Sequence, residues 1–175
     1  MRLLLLRTLG TFVAVALLVQ QPGRAQIAQA ANPADSRRIT LTATTQDAVA
    51  ESNRLITRML HAGELTSVRV QDDSQIAGRQ IQTLQQVYEG IPVEGGSVTL
   101  QKAGQTTISV LGTLFNPVSV DTTPAIAPVD AARIIEKDAN AFIAFGASPT
   151  LVVVPSPVGT FALTYKATVA NAITY

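Results

Sequence analysis

Alternation of apolar and polar residues predicts several β-strands in the second half of the chain. Thr160–Val169 shows it most clearly, with every second residue apolar: Phe161, Leu163, Tyr165, Ala167 and Val169. Two further alternating runs, Ser97–Lys102 and Thr106–Phe115, are joined by a short Gly-bearing connection. Because successive side chains of a strand point to opposite faces, each run has a face suited to a core. The joined pair is typical of an antiparallel hairpin.

The strand predicted at Thr106–Phe115 is apolar on both faces. One face carries Ile108, Val110, Gly112 and Leu114. The other includes Leu111 and Phe115 among polar residues. We expect another element to cover this second face, and a helix predicted at Thr44–Ala62 is the candidate.

Apolar residues at helical spacing predict two α-helices. In Thr44–Ala62 they are Ala48, Val49, Leu55, Ile56, Met59 and Leu60. Thr44 and Asp47 have the spacing of a capping box, and Gly63 suits the left-handed residue after a helix. The second helix begins at Pro128 and ends by Gly146, with the apolar stripe Ala131, Ile134, Ile135, Ala139 and Phe142.

The order of these elements, with further strands at Leu65–Val70, Gln80–Tyr88 and Leu151–Val154, predicts an α+β fold. We expect antiparallel sheets, each covered by a helix, in two small consecutive lobes. The first lobe is residues 44–116 and the second is residues 117–175, with the boundary at the Asn116-Pro117 break. Residues 26–43 are predicted to be a flexible lead in which Ile39–Leu41 is extended.

The N-terminus has the pattern of a secretory signal peptide, residues 1–25. Arg2 and Arg7 provide the positive start, and an apolar run, Leu9–Val19, follows. Cleavage is predicted after Ala25 or, at a closer match to Ala-x-Ala, after Ala30. The alternative is a membrane anchor, for which the uninterrupted apolar run is too short. We therefore expect the chain to be secreted or periplasmic.

Charge and cysteine content narrow the possible partners. The chain has 13 Lys and Arg against 12 Asp and Glu. Cleavage after Ala25 removes three arginines and leaves a net charge of −2 on the remainder. A nearly neutral chain without a basic tract is not suited to nucleic acid. Cysteine is absent, so the fold contains no disulfide.

The residues offer little for catalysis or metal binding. His61 is the single histidine, and we expect it in the last turn of the first helix. No His-Glu-x-x-His zinc motif, nucleophile motif or phosphate loop is present in the sequence. Asp72 and Asp73 are adjacent, which suits a solvated turn better than a calcium site. We predict no catalytic residue, metal or cofactor.

One stretch, Gln85–Val98, resembles a known family signature. The pattern of the fungalysin/thermolysin propeptide family (FTP) is roughly His-x-Arg-x-x-Gln-x-Tyr-x-Gly-x-Pro-Val-x-Gly. The matching positions are Gln86, Tyr88, Gly90, Pro92, Val93 and Gly95. Ile81 and Thr83 depart from it, because they stand where the family has His and Arg, so the polar contacts of those two residues are missing here.

The resemblance implies a function. Proteins of this family are pro-regions of secreted thermolysin-like zinc metallopeptidases, which assist folding of the catalytic domain and inhibit it. The partner would be that catalytic domain. Residues 117–175 resemble the PepSY module that follows in such precursors, here truncated and with an exposed sheet edge. The alternatives are a free-standing secreted module that binds a peptide or a cell-wall ligand, and an active enzyme.

Overall fold

The computed structural model describes residues 13–15, 37–157 and 159–170. The helices are α1 (Gln46–His61) and α2 (Pro128–Ala139). The strands are β1 (Val13–Val15), β2 (Arg37–Ala43), β3 (Leu65–Asp72), β4 (Arg79–Tyr88), β5 (Ile91–Ala103), β6 (Thr106–Asn116), β7 (Phe142–Ile143), β8 (Thr150–Pro155) and β9 (Phe161–Ala170). Within these residues, no helix is both long and apolar enough to cross a membrane.

The chain forms two compact units. The described part of the large unit is 37–123, 152–157 and 159–163, and that of the small unit is 13–15, 124–151 and 164–170. The predicted lobes at 44–116 and 117–175 stay predictions.

The large unit is built on five antiparallel strands in the order β3-β4-β5-β6-β2. The alternating runs at 97–102 and 106–115 form the predicted hairpin of β5 and β6. A parallel contact, Val93 with Val153, adds β8 to β5, so the sheet is mixed. The prediction of purely antiparallel sheets is therefore wrong at this pair.

The last seven residues of the predicted flexible lead, Arg37–Ala43, form β2. Alternation explains this, since Leu41 and Ala43 are buried while Thr40 and Thr42 are exposed. Residues 26–36 of the lead lie outside the described residues, as do both predicted cleavage positions, Ala25 and Ala30.

Helix α1 packs against the face of the sheet that carries Val110 and Leu114. Its residues Val49, Ile56 and Met59 share one buried cluster with these two and with Leu41, Ala43, Leu65, Leu84, Val98 and Leu100. The prediction that α1 covers the face of Leu111 is wrong. Leu111 is on the opposite face and is mostly exposed, because only one face of each strand can point at the helix.

The two ends of α1 follow different rules. At the C-terminus Gly63 adopts the predicted left-handed conformation, with φ of 72°, and Glu64 N–H bonds the carbonyl of Met59 at 2.8 Å. This hydrogen bond satisfies a carbonyl that would otherwise have no partner at the end of the helix. The predicted capping box is wrong, because the N-cap is Thr45 and no side chain caps it.

The small unit packs α2 against β9. Ala131 and Ile135 are buried with Tyr165 and Ala167, as the two periodicities predict. The Tyr165 hydroxyl donates to the carbonyl of Ile126 at 3.1 Å.

Helix α2 ends earlier than the apolar stripe suggested. Asn140 takes a left-handed conformation, with φ of 47°, and closes the helix after Ala139. Phe142 therefore lies in β7 and is exposed, and its placement on the helix stripe is wrong.

Strand β9, whose edge was predicted to be open, has partners in the structure, but β1 lies within the predicted signal peptide, so for the exported chain the open edge stays a prediction. Strand β1 pairs with Lys166–Thr168, and β7 pairs with Val169 and Ala170. Strand β9 lies between β1 and β8 in the strand order. Two short segments from elsewhere in the chain thus provide the partners that the sequence pattern did not reveal.

Candidate functional site

The six residues singled out by the sequence pattern come together in one hairpin, β4–β5. At its tip Glu89 and Gly90 have φ of 49° and 81°. Positive φ at both central residues is the geometry of a type I′ turn, which suits the twist of the two strands. Gly90 provides this conformation without the steric strain that a Cβ would add.

Just below the tip, β5 contains a wide bulge. Gln85 pairs with Ser97 and Val87 pairs with Pro92, so one residue of β4 is opposite four residues of β5. Those four residues are Val93–Gly96. Gly95 has φ of 72° with open space around the position of a Cβ, so its conformation rather than crowding favours glycine.

The side chain of Gln86 fills the place that the bulge leaves empty in the ladder. Its Nε2 donates to the carbonyl of Phe115 at 2.7 Å, and its Oε1 accepts from the N–H of Phe115 at 2.9 Å. The side-chain amide thus acts as a peptide group of a neighbouring strand. Gln86 is 2% exposed, and burial of an amide is tolerated when both of its ends are bonded.

Gly96 makes room for this amide, and the sequence pattern did not single it out. A Cβ at Gly96 would lie 2.8 Å from Gln86 Oε1 and 3.0 Å from Gln86 Cβ. A side chain here would have to displace the hydrogen-bonded Gln86 amide, so the close approach favours glycine. The adjacent pair Gly95-Gly96 therefore has two different causes, backbone conformation in the first and space in the second.

Gln85 closes the bulge from the inside and was also not identified as a site residue. Its Nε2 is within hydrogen-bond distance of the carbonyls of Gln86, Val93 and Gly96, at 3.1, 2.8 and 2.9 Å. One amide thereby holds three carbonyls in and beside the bulge. The sequence does contain a signal for the role of Gln86. This residue follows Leu84 on the core-facing side of β4, where a polar side chain needs a hydrogen-bond partner.

The remaining motif residues join the hairpin to a second cluster. Val93 is fully buried and pairs with Val153 of β8. This cluster also contains Phe115, with Phe161 packed edge to face at 5.9 Å between ring centroids. Tyr88 and Ile91, on either side of the turn, pack at its border. Pro92 lies opposite Val87 in the ladder.

The two departures from the family pattern lie on the other face of β4. Ile81 and Thr83 alternate with Leu84, which points to the α1 side. Thr83 pairs with Arg69 of β3. A histidine and an arginine at these positions would project from the face of the sheet that α1 leaves uncovered, while the Gln86 bridge would be unaffected.

Among the residues that the structure describes, the groups with acid–base chemistry lie apart from one another. His61 lies exposed in the last turn of α1. Asp73 accepts from the N–H of Gln75 at 2.8 Å in an exposed turn. Backbone and side-chain hydrogen bonds from Thr123 hold the pKa of the exposed Asp121 below its usual value. Within the described ranges, no three His, Asp or Glu side chains come together to hold a metal ion.

Comparison with known proteins identifies the region that this hairpin occupies. Residues 63–114 match the family model of the Fungalysin/Thermolysin Propeptide Motif. The match begins at the glycine that follows α1 and runs through β3, β4 and β5 almost to the end of β6. No curated protein matches the chain significantly. The four-stranded segment at 63–114, which contains Gln86, is thus the part of the chain that matches a fungalysin/thermolysin propeptide motif.

Proposed function

We propose that this chain is the pro-region of a secreted thermolysin-like metallopeptidase precursor, which assists folding of the catalytic domain and inhibits it. The observation that carries the proposal is the propeptide motif at 63–114. Its signature residues form one hairpin, in which the Gln86 side-chain amide reaches across the bulge and bonds the N–H and the carbonyl of Phe115.

The proposed activity needs a surface and no reactive groups. A partner that binds the folded protease, and not the unfolded one, stabilises the folded form by mass action. If the same contact covers the substrate cleft, it also inhibits. The described residues of the large unit supply a formed sheet for such a contact.

The same proposal includes the organisation of the precursor. Residues 1–25 would be the signal peptide, 44–116 the FTP-like lobe and 117–175 a PepSY-like lobe, with a helix on the sheet of each lobe. The packing of α1 on the large sheet and of α2 on β9 supports this arrangement. N-terminal sequencing of the exported chain tests the leader, and we expect it to begin at Gln26 or Ala31.

Refolding and inhibition assays test the activity. We expect the chain, at micromolar concentration, to raise the yield of active thermolysin from denaturant and to slow its cleavage of a peptide substrate. Serum albumin at equal mass is the control for non-specific protection. Neither inhibition nor a higher yield would contradict the proposal. Intact-mass analysis of the chain during the assay shows whether thermolysin cleaves it. This separates inhibition from simple competition by a second substrate.

A free-standing binding module is the second candidate, and one observation favours it. Strand β2 pairs only with β6 among the described residues, so its other edge offers backbone groups to an extended peptide. This candidate would be favoured over the pro-region by two results together. The chain would bind short peptides, with Thr40→Pro in β2 abolishing that binding, and it would neither inhibit thermolysin nor raise its refolding yield.

A further inference from the structure

The connection from β6 to α2, residues 117–127, is the longest one that lies wholly within the described part of the chain. Its residues take part in no strand pairing there. From Thr123 to Val129 every residue is exposed to solvent. Exposed segments without regular structure are the preferred sites of proteolytic cleavage, because a peptidase must reach the backbone on both sides of the bond that it cuts.

The first half of this connection is held in place. Val118 and Val120 pack against the cluster that contains Phe115. The Thr122 hydroxyl donates to Glu89 Oε2 at 2.6 Å, which ties the backbone to the tip of the β4–β5 hairpin. Side chains engaged in this way protect the peptide bonds beside them, so the first half is a poor target for a peptidase.

The second half is held much less. Among the described residues, 124–126 make one hydrogen bond, in which the Tyr165 hydroxyl donates to the carbonyl of Ile126 at 3.1 Å. Drawing this stretch into a peptidase cleft therefore breaks a single hydrogen bond, whose net contribution is small. Local opening of this kind is sufficient for cleavage and needs no unfolding of either unit.

Two other connections are mostly exposed but are closed as turns by their own hydrogen bonds. In the turn after β3, the N–H of Gln75 donates to Asp73 Oδ1 at 2.8 Å. In the turn after β7, the N–H of Ala147 donates to the carbonyl of Ala144 at 2.9 Å. A peptidase would have to open these turns before it could bind their backbone, so we expect them to be cut later.

The residue types in the second half select one peptide bond. Pro124 and Pro128 stand at its two ends, and the bond before a proline has no N–H and is a poor substrate for peptidases. Between them lie the small residues Ala125 and Ala127 and the large Ile126. A peptidase with a small pocket for the residue before the cut accepts either alanine, but the bond after Ala127 leads into Pro128. The bond after Ala125 remains.

We propose that the Ala125–Ile126 bond is a processing site, at which an endopeptidase with a pocket for small residues cuts the folded chain. The hydroxyl of a water molecule joins the carbonyl carbon of Ala125, the C–N bond breaks, and the proton goes to the nitrogen of Ile126. The products carry a new carboxylate at Ala125 and a new amino group at Ile126. This inference goes beyond the proposed pro-region function and does not rest on it.

The cut leaves contacts between the two fragments intact within the large unit. Val153, from the C-terminal fragment, pairs with Val93 of β5, and both side chains are fully buried. Phe161, from the same fragment, packs edge to face against Phe115. Cleavage at Ala125 removes none of these contacts, so we expect the two fragments to remain bound to each other until the chain is unfolded.

Limited proteolysis of the full-length chain with pancreatic elastase, whose pocket takes small residues, tests the site. Within residues 37–170, the first cut should give fragments that end at Ala125 and begin at Ile126, identified by intact mass and N-terminal sequencing. Ala125→Asp should slow this cut by about tenfold or more, because a charge would have to enter a small apolar pocket. Ala147→Asp is the matched control, since Ala147 is an exposed alanine in the turn after β7, and this variant should be cut like the wild type.

Two further measurements sharpen the test. Tyr165→Phe removes the hydrogen bond to Ile126 and should accelerate the cut by roughly two- to tenfold, and an unchanged rate would overturn the protective role of that bond. Size-exclusion chromatography of the cut chain should show both fragments in one peak, which separates into two in denaturant. Separation without denaturant would overturn the persistence of the complex.

The outcomes of the elastase experiment decide the site. A first cut in the turn after β3 or in the turn after β7 would overturn it, as would the absence of a cut at Ala125. Simultaneous cutting at many bonds would overturn it too, because that pattern marks global unfolding. Equal slowing by Ala125→Asp and Ala147→Asp would do the same. Inhibition of thermolysin is measured separately, so its absence would overturn the pro-region proposal and leave this site standing.

Discussion

The two units place the same aromatic residue in opposite environments. In the large unit Phe115 is buried, and the partly buried Phe161 packs edge to face against it. In the small unit Phe142 and Phe145 face outward. Residue type therefore does not decide burial here.

The units also differ in how their cores are assembled. The core of the large unit combines α1 with residues from five strands, and the Gln86 bridge extends its ladder past the bulge. The buried core of the small unit consists of Ala131, Ile135, Tyr165 and Ala167. We therefore expect the large unit to determine the global stability of the chain, and the small unit to open separately at lower free energy.

Truncation of one buried residue in each unit is the strongest test of this comparison. Leu114→Ala should lower the free energy of unfolding by about 4 kcal/mol, because it leaves a cavity at a fully buried position. Ile135→Ala should accelerate amide hydrogen exchange in α2 and β9 and leave β2–β6 protected. Equal loss of protection in both units after Ile135→Ala would show that they unfold as one.

Replacement of the bridging amide should have the next largest effect. Gln86→Leu leaves the N–H and carbonyl of Phe115 unpaired in a buried site, which should destabilise the chain by about 3 kcal/mol. Gln80→Leu is the control, because Gln80 bonds Asp72 on the exposed surface, and its effect should be within about 0.5 kcal/mol. Urea unfolding measures both. A similar loss in the two variants would contradict the special role of Gln86.

Replacing one partly buried and one exposed phenylalanine by alanine tests the aromatic comparison itself. Phe161→Ala removes the edge-to-face partner of Phe115 and should lower the unfolding free energy by about 2–3 kcal/mol. Phe142→Ala should change it by less than about 0.5 kcal/mol. Thermal unfolding of the two variants is sufficient. A large loss from Phe142→Ala would mean that its ring is covered in solution.

A double substitution tests the close approach inside the bulge. Gly96→Ala should destabilise the chain by about 2 kcal/mol, since its Cβ meets Gln86 Oε1 and Cβ. In a Gln86→Ala background the contact with Oε1 no longer exists, so the added loss should be smaller. Chemical denaturation of the four chains gives the coupling. Strict additivity would show that Gly96 is required for another reason.

The smallest expected effect is the titration of Asp121, close to the end of the large unit's first segment. Hydrogen bonds from Thr123 favour the charged carboxylate, so its pKa in the folded chain is below that of the unfolded chain. The stabilisation is thus present above the unfolded pKa and is lost as the pH falls through the folded one. NMR titration of the Asp121 side chain measures it, and a midpoint at or above the usual aspartate value would contradict the contact.

Much of the fold could be predicted from alternation and helical spacing, because these patterns record which face is buried. The hairpins, the left-handed Gly63 and the inward face of β9 follow from such local rules. The end of α2 could not be predicted in this way. The apolar Phe142, two positions after Asn140, continues the helical spacing and hides the left-handed residue that ends the helix. The parallel contact of β8 depends on residues distant in sequence and is invisible to local patterns.

The candidate site shows the same limit. The motif positions were identified by their resemblance to a family, and the structure shows what Gln86 and Gly95 do. The roles of Gln85 and Gly96 depend on how far β5 moves away from β4, which a single sequence does not state.

The position of β2 has a consequence for biosynthesis. Ile39 is made early, yet its ladder partner is Leu114, which lies beyond α1 and three further strands. A chain that emerges N-terminus first must therefore keep β2 unpaired until the whole 63–114 segment has left the ribosome. Contacts of such long sequence separation slow folding. The sheet cannot close while β6 is still missing, so the chain stays open at β2 until then.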